Sequence, residues 1–215
     1  DKDKYKTSQD TIDIVLGRGG DQAAIRENGK YKFFGGRAKE VEKRTKVKAR
    51  TVARALEQII LESKDVMIMG HINADIDCMG SSLGIYRLAK DLGKEAYIVN
   101  NTTGETISSF IEALKEEKEY NDVLLNKSEA LNKISEETLL VVVDTHKKSY
   151  VEVPELLEKT NKIVIIDHHR RSPDFIENAI LSFHEVYASS AAELVTEILQ
   201  YVETKVNLTT IETEG

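Results

Sequence analysis

Three apolar runs in this chain each stop in a cluster of aspartate and histidine. They are VMIMGHINADID (Val66 to Asp77), LLVVVDTH (Leu139 to His146) and IVIIDHH (Ile163 to His169). Four of the five histidines and four closely placed aspartates fall in these clusters. Near-continuous β-branched runs are the mark of strands buried on both faces, as in a parallel sheet covered by helices. In open α/β sheets, ligands bind beyond the carboxyl ends of the strands. Buried strands that end in imidazole and carboxylate groups therefore point to a metal site at the edge of a parallel sheet.

The rest of the chain agrees with that reading from Val66 onward. Strands are predicted at Val66–Met69, Ala96–Val99, Leu139–Val143, Ile163–Ile166 and Ala179–Glu185. Helices are predicted at Ser81–Asp91, with Gly93 as a C-cap, at Ile107–Glu117, at Val153–Lys159 and at Ser190–Val202. Alternation of short strands and helices predicts an α/β fold, a doubly wound and mostly parallel sheet flanked by helices. The first 47 residues differ. They hold six of the twelve glycines and predict short strands joined by Gly-rich turns, a small α+β piece. Thr45–Lys64 follows, with Val47, Val52, Ala55, Leu56, Ile59 and Ile60 spaced as one helix face. The expected organisation is 1–47, a linker helix 48–64, and a catalytic domain 65–215.

Composition excludes several classes. A net charge of −7 argues against non-specific binding to nucleic acid polymers or anionic membrane. It leaves anionic substrates open, because bound divalent cations invert the local sign. A single cysteine, Cys78, rules out an intrachain disulfide framework and a Cys-based zinc site. No apolar run has the length of a membrane span, so a soluble globular piece is expected. Both termini, DKDKYKTSQ and NLTTIETEG, read as cuts through a longer protein, the second without a clear closing element.

His71, Asp75 and Asp77 form H-x-x-x-D-x-D in a loop leaving the first strand. Asp144 follows the second strand, and Asp167, His168 and His169 follow the third. Carboxylate plus imidazole suits Mn²⁺ or a similar borderline cation. The set exceeds the needs of one metal with open positions; two metals about 3.5–4 Å apart, sharing a carboxylate, would use it. A lone Asp at a strand end is usually a turn residue or helix N-cap, but three ends carrying both Asp and His are not explained by caps. Phosphate-ester hydrolysis is the chemistry implied.

GHINADIDCMGSS, VVVDTH and IIDHHRR resemble the first three motifs of the DHH phosphoesterase superfamily. LGRGGDQAAIRENGKYKFFGGRAKEVEKRTKVKAR looks like the end of the degenerate GGDEF domain of GdpP-type cyclic-di-AMP phosphodiesterases, and YASSAAELVTEIL also resembles that subfamily. The resemblance implies a two-Mn²⁺ phosphodiesterase that converts cyclic di-AMP to linear pApA. It implies one metal on His71 and Asp75, the other on Asp77 and His168, and Asp144 bridging both. His169 would face the scissile phosphate, and Asp167 would orient a neighbouring His. Arg170 and Arg171 have two readings, phosphate clamp or solvated basic pair; His146 also has two, support of the site or simple strand end.

The family's fourth motif, an Asp that completes the second metal position, and its DHH-associated domain are not found before Gly215. An incomplete catalytic half is expected, cut from a homodimeric parent anchored at the cytoplasmic side of the membrane through upstream transmembrane and PAS segments. The alternatives are a DHH oligonucleotide or pAp phosphatase and a non-catalytic nucleotide sensor. Other features carry bland readings. Gly80 and Ser81 open a helix, Gly17-Arg18-Gly19-Gly20 is a turn, and Cys78 packs behind the metal loop. KEEKEY (Lys115 to Tyr120) is a solvated helix end, and His184 is a sheet residue.

Overall fold

A computed structural model describes residues 8, 11–12, 22–27, 30–35, 38–101, 105–120 and 122–214. The Gly17–Gly20 turn lies outside them. The chain divides into two units, Asp1–Val47 and Lys48–Gly215. In the first, β1 (Gln22–Glu27) and β2 (Lys30–Gly35) pair antiparallel, with Glu27 opposite Lys30 at the turn end. Helix α1 (Ala38–Leu61) carries the chain across the division.

The second unit is built on six parallel strands in the order β5-β4-β3-β6-β7-β8. They are β3 (Asp65–Met69), β4 (Glu95–Val99), β5 (Leu124–Leu125), β6 (Leu139–Val143), β7 (Ile163–Asp167) and β8 (Leu181–His184). Every residue of β3, β6 and β7 is buried, which is why these strands read as unbroken apolar runs. Alternate residues serve two cores. Val66, Ile68, Val141, Val143, Val164 and Ile166 face α1, α2 (Ile76–Asp91), α3 (Glu105–Glu116) and α5 (Ala191–Leu199). Met67, Met69, Leu140, Val142 and Ile165 face α4 (Lys127–Lys133) and the 3₁₀ turn Pro154–Glu158. The expected α/β architecture is therefore present, with a helical layer on each face.

Several local expectations need correction. The helix after the first cluster begins at Ile76, not at Gly80 or Ser81, because Asp75 is its N-cap and accepts from the Cys78 amide at 3.0 Å. Asp77 thus stands on the first helical turn rather than in a loop. Ser81 and Ser82 are buried inside α2, their hydroxyls donating to the Asp77 and Cys78 carbonyls. Val153–Lys159 is a 3₁₀ turn with Pro154 at its start. The helix expected to reach Val202 stops at Leu199. Val47 is 64 % exposed, while Ala49, Val52, Ala53, Leu56 and Ile60 of α1 enter the core. Gly93 ends α2 with a φ of 75°, as its C-cap reading required.

A short helix is present at Thr210–Glu214. Glu212 on α6 (Thr210–Glu214) has a fully buried side chain and accepts from Arg87 Nε at 2.9 Å and from Tyr120 Oη at 2.7 Å. Tyr120, the last residue of KEEKEY, is accordingly buried rather than solvated. Among the described residues no helix is long and apolar enough to cross a membrane.

Candidate metal centre

The strand order reverses between β3 and β6: β4 and β5 lie on one side, β7 and β8 on the other. Such a switch point leaves a crevice beyond the carboxyl ends of the two central strands. His71 leaves β3 there and Asp144 leaves β6. The His71 Nε2 atom lies 3.3 Å from Asp144 Oδ2 and 3.9 Å from Asp75 Oδ1. On the other side of the same carboxylate, His168 Nε2 lies 3.5 Å from Asp144 Oδ1 and 3.6 Å from Asp77 Oδ2. His169 Nδ1 is 3.6 Å from Asp144 Oδ1. Asp144 therefore stands between two sets of ligand-type groups, one at each oxygen.

Asp144 is held in an unusual way. It is 2 % exposed, its φ is 56°, and its Oδ1 atom has no hydrogen-bond partner. Non-glycine residues rarely enter that left-handed region, though aspartate does so more readily than most, and such outliers gather at functional sites. Burial pushes the Asp144 carboxyl above the ordinary carboxylate range, and the Asp77 and Asp75 charges add to this; the hydrogen bond to His71 opposes it. That same hydrogen bond raises His71, against the effect of burial. Among the described residues no lysine or arginine pairs with Asp75, Asp77 or Asp144. Three carboxylates converge without a protein cation, and one buried oxygen is unsatisfied. A carboxylate–imidazole set in this state fits divalent cations of the Mn²⁺ type.

A second cluster lies one strand over and is closed. Asp167, fully buried at the end of β7, accepts from His146 Nδ1 through Oδ2. Its Oδ1 atom takes the His169 Nδ1 proton at 2.8 Å and the His169 amide at 3.2 Å. The Ser172 amide donates to His146 Nε2 at 2.8 Å, so the His146 proton must sit on Nδ1. Burial would raise the Asp167 carboxyl, but these donors outweigh it and hold it below the ordinary range. His184 is in β8, as expected of a sheet residue, yet its Nε2 also donates to the His169 carbonyl. Although His146, Asp167 and His184 share one neighbourhood, these hydrogen bonds occupy both His146 nitrogens, both Asp167 oxygens and the His184 Nε2 atom.

The remaining predicted residues are less engaged. Arg171 lies over the Phe175 ring at 4.2 Å and Arg170 is exposed at the rim. Cys78 is buried behind the His71 loop, where burial pushes its thiol up to about 12. Sequence reading missed Tyr150, whose ring stacks on His71 with centroids 5.3 Å apart and planes 10° apart. The Ile72 amide donates to the Tyr150 carbonyl at 3.1 Å, so the two loops are tied by backbone as well. No local signal marks Tyr150, because the pairing crosses from the β3 loop to the β6 loop.

A model of the DHH family, N-terminal domain, matches residues 65–214. The chain belongs to the DHH family. Across 208 residues it is 43 % identical to the cyclic-di-AMP phosphodiesterase GdpP of Bacillus subtilis, covering 95 % of this chain and 32 % of that protein. It is also 43 % identical over 198 residues to the cyclic-di-AMP phosphodiesterase PdeA of Listeria monocytogenes, covering 90 % of this chain and 30 % of that one. The chain thus spans about a third of the length of these relatives. Among solved structures, an exopolyphosphatase-related protein from Bacteroides fragilis superposes with a TM-score of 0.55 at 17 % identity, over 68 % of this chain and 42 % of that one. That likeness concerns the fold alone.

Proposed function

We propose that this DHH domain is the catalytic part of a phosphodiesterase that opens cyclic di-AMP to linear pApA with two bound Mn²⁺ ions. One observation carries the reading: the buried Asp144 carboxylate offers Oδ2 toward His71 and Oδ1 toward His168 and His169. In this reading His71 and Asp75 would hold one ion, Asp77 and His168 would hold the other, and Asp144 would serve as a ligand shared by the two. Bound cations would supply Lewis acidity for a phosphoryl oxygen and lower the pKa of a water. The names of the relatives, and identity over 95 % of the chain, support the substrate. Residues 1–47 would be the end of a degenerate GGDEF domain, on the sequence resemblance of LGRGGDQAAIRENGKYKFFGGRAKEVEKRTKVKAR.

The protein's own groups supply the rest. In hydrolysis a water oxygen bonds to phosphorus, the P–O3′ bond breaks, and the 3′ oxygen gains a proton. His169 is half-exposed, and Asp167 fixes its Nδ1, which leaves Nε2 for the substrate. Arg170 and Arg171 follow it in the chain and are exposed, and they would offer guanidinium donors to phosphate oxygens.

The test is incubation with Mn²⁺ and cyclic di-AMP, using this chain and a protein extended to the length of the relatives. Formation of pApA by the longer protein is the expected result. Hydrolysis of only linear dinucleotides or pAp would replace this reading with the oligonucleotide or pAp phosphatase one. Nucleotide binding without turnover would favour the sensor.

A further inference from the structure

Asp77 stands on the first turn of α2 and His168 follows β7, yet one short segment touches both. It is Ala188–Ala192, the entry to α5. The Ala191 amide donates to Asp77 Oδ2 at 2.9 Å and the Ala192 amide donates to Asp77 Oδ1 at 2.7 Å. His168 Nδ1 lies 3.3 Å from the Ala188 carbonyl, which can only accept, so that nitrogen carries the proton and Nε2 is left with its lone pair. The segment therefore sets the carboxylate orientation and the imidazole tautomer of one half of the centre. His71 and Asp75 receive nothing from it among the described residues.

The segment is itself anchored. Ser190 caps α5 by accepting from the Glu193 amide at 2.9 Å, and Glu193 reaches back to the Ser189 amide at 2.7 Å. Helix α1 holds both flanks. Lys48 Nζ bonds Glu185 at 2.6 Å, and Glu57 accepts from the Glu203 and Thr204 amides at 3.0 and 2.9 Å. Gly84 lets α2 approach α5 closely: a Cβ there would stand 2.5 Å from Val195 Cγ1. Of the first-turn donors of α5, two are thus committed to Asp77 and the third to Ser190. Each Asp77 oxygen keeps capacity for one more partner, and Oδ2 is the one that faces His168.

We infer that Ala188–Ala192 is a positioning element for the Asp77–His168 half of the centre, preorganising that cation position and not the His71–Asp75 one. Outer partners of this kind typically change cation affinity by ~10–100-fold. The inference rests on the two-ion reading, and the experiment separates their failures.

Ala191→Pro is the incisive variant. Proline suits the first position of a helix, and Ser190, at φ −156° and ψ 161°, already has the extended backbone that a residue before proline adopts. The substitution removes one N–H and puts a methylene against Asp77 Oδ2. Ala191→Gly keeps the donor and is the control. Mn²⁺ titration of the metal-free protein extended to the length of the relatives, followed by calorimetry and electron paramagnetic resonance, is expected to show two sites in this unsubstituted parent and in its Ala191→Gly variant. In Ala191→Pro one site should weaken ~10–100-fold while the other keeps its affinity. Two undisturbed sites in a folded Ala191→Pro protein would overturn the inference. Fewer than two sites in the parent would overturn the two-ion reading first. If the proline variant does not fold, amide hydrogen exchange in the parent decides. Ala191 and Ala192 should be protected and lose protection in Asp77→Ala; free exchange in the parent defeats the inference.

Discussion

Two clusters of the same residue types sit side by side at the carboxyl edge of one sheet, and they are in opposite states. Around Asp144 the carboxylate is raised by burial, and both its Oδ1 atom and His71 Nδ1 are buried with no hydrogen-bond partner. Around Asp167 the carboxylate is held low by the His146 and His169 donors, which outweigh burial. The first arrangement leaves buried polar atoms unsatisfied, the state that fits the proposed cation site. The second is complete without a cation. Composition does not separate ligand from support; the balance of donors and acceptors does.

Asp144→Asn gives the largest expected break in that contrast. It should lower kcat/KM of the full-length protein by ~10³, about 4 kcal/mol at the transition state. The metal-free chain should meanwhile melt no lower than the parent, because an uncompensated buried charge has gone. Mn²⁺ at a hundred times its dissociation constant should stabilise the parent by about 2.7 kcal/mol and leave Asp144→Asn unmoved. A thermal shift that survives in the variant would dissolve the distinction.

Asp167→Asn should behave in reverse. The amide keeps one acceptor oxygen and turns an N–H toward the other imidazole donor, so either His146 or the half-exposed His169 loses its partner, and a loss of about 3 kcal/mol is expected without any cation present. Calorimetry would register this as a fall in Tm of roughly 6–12 °C. A metal-free Tm equal to that of the parent would mean that Asp167 is not the structural partner described here.

Gly84→Ala probes the α2–α5 contact that brings Asp77 to its amides. Overpacking against Val195 should cost about 2 kcal/mol. Val195→Ala in the same chain should recover part of that loss in urea denaturation; strict additivity of the two effects would rule out the steric account.

The smallest effect is at the α1 contact with the segment after α5. Burial would raise Glu57, but the Thr204 hydroxyl and the Glu203 and Thr204 amides outweigh it and lower the carboxyl from its ordinary value of 4.5. A folded value below the unfolded one contributes stability above pH 4.5 that disappears as the pH falls through the folded value. Glu57→Gln should therefore be less stable than the parent by about 1 kcal/mol at pH 7. The gap should close on acidification below pH 4.5. A gap independent of pH would mean that the charge of Glu57 plays no part.

Much of this was legible in the chain itself. Strands buried on both faces must be apolar throughout, so β3, β6 and β7 declared themselves, and polar ligand-type residues can only follow where such strands end. The three clusters and their meeting at a sheet edge come from that rule. Residues marked only by a partner elsewhere in the chain were not legible. Tyr120 reads as part of a charged helix end until Arg87 and Glu212 enclose it. Helix α6, five residues long, has no periodicity of its own; Ile211 against the core and the buried Glu212 secure it. Asp75 and Asp77 read as loop residues because a ligand motif and a helix N-cap use the same side chain.

The sequence by itself determined the α/β class and the strand ends on which the acids and imidazoles fall. Tertiary structure alone decided which of them are left open. His146 and His168 are equally good ligands in isolation. The Ser172 amide occupies His146 Nε2 at 2.8 Å, while the Ala188 carbonyl takes the Nδ1 proton of His168 and leaves its Nε2 atom 3.5 Å from Asp144. An imidazole's role is set by what holds its other nitrogen, and that partner is supplied by a distant part of the chain.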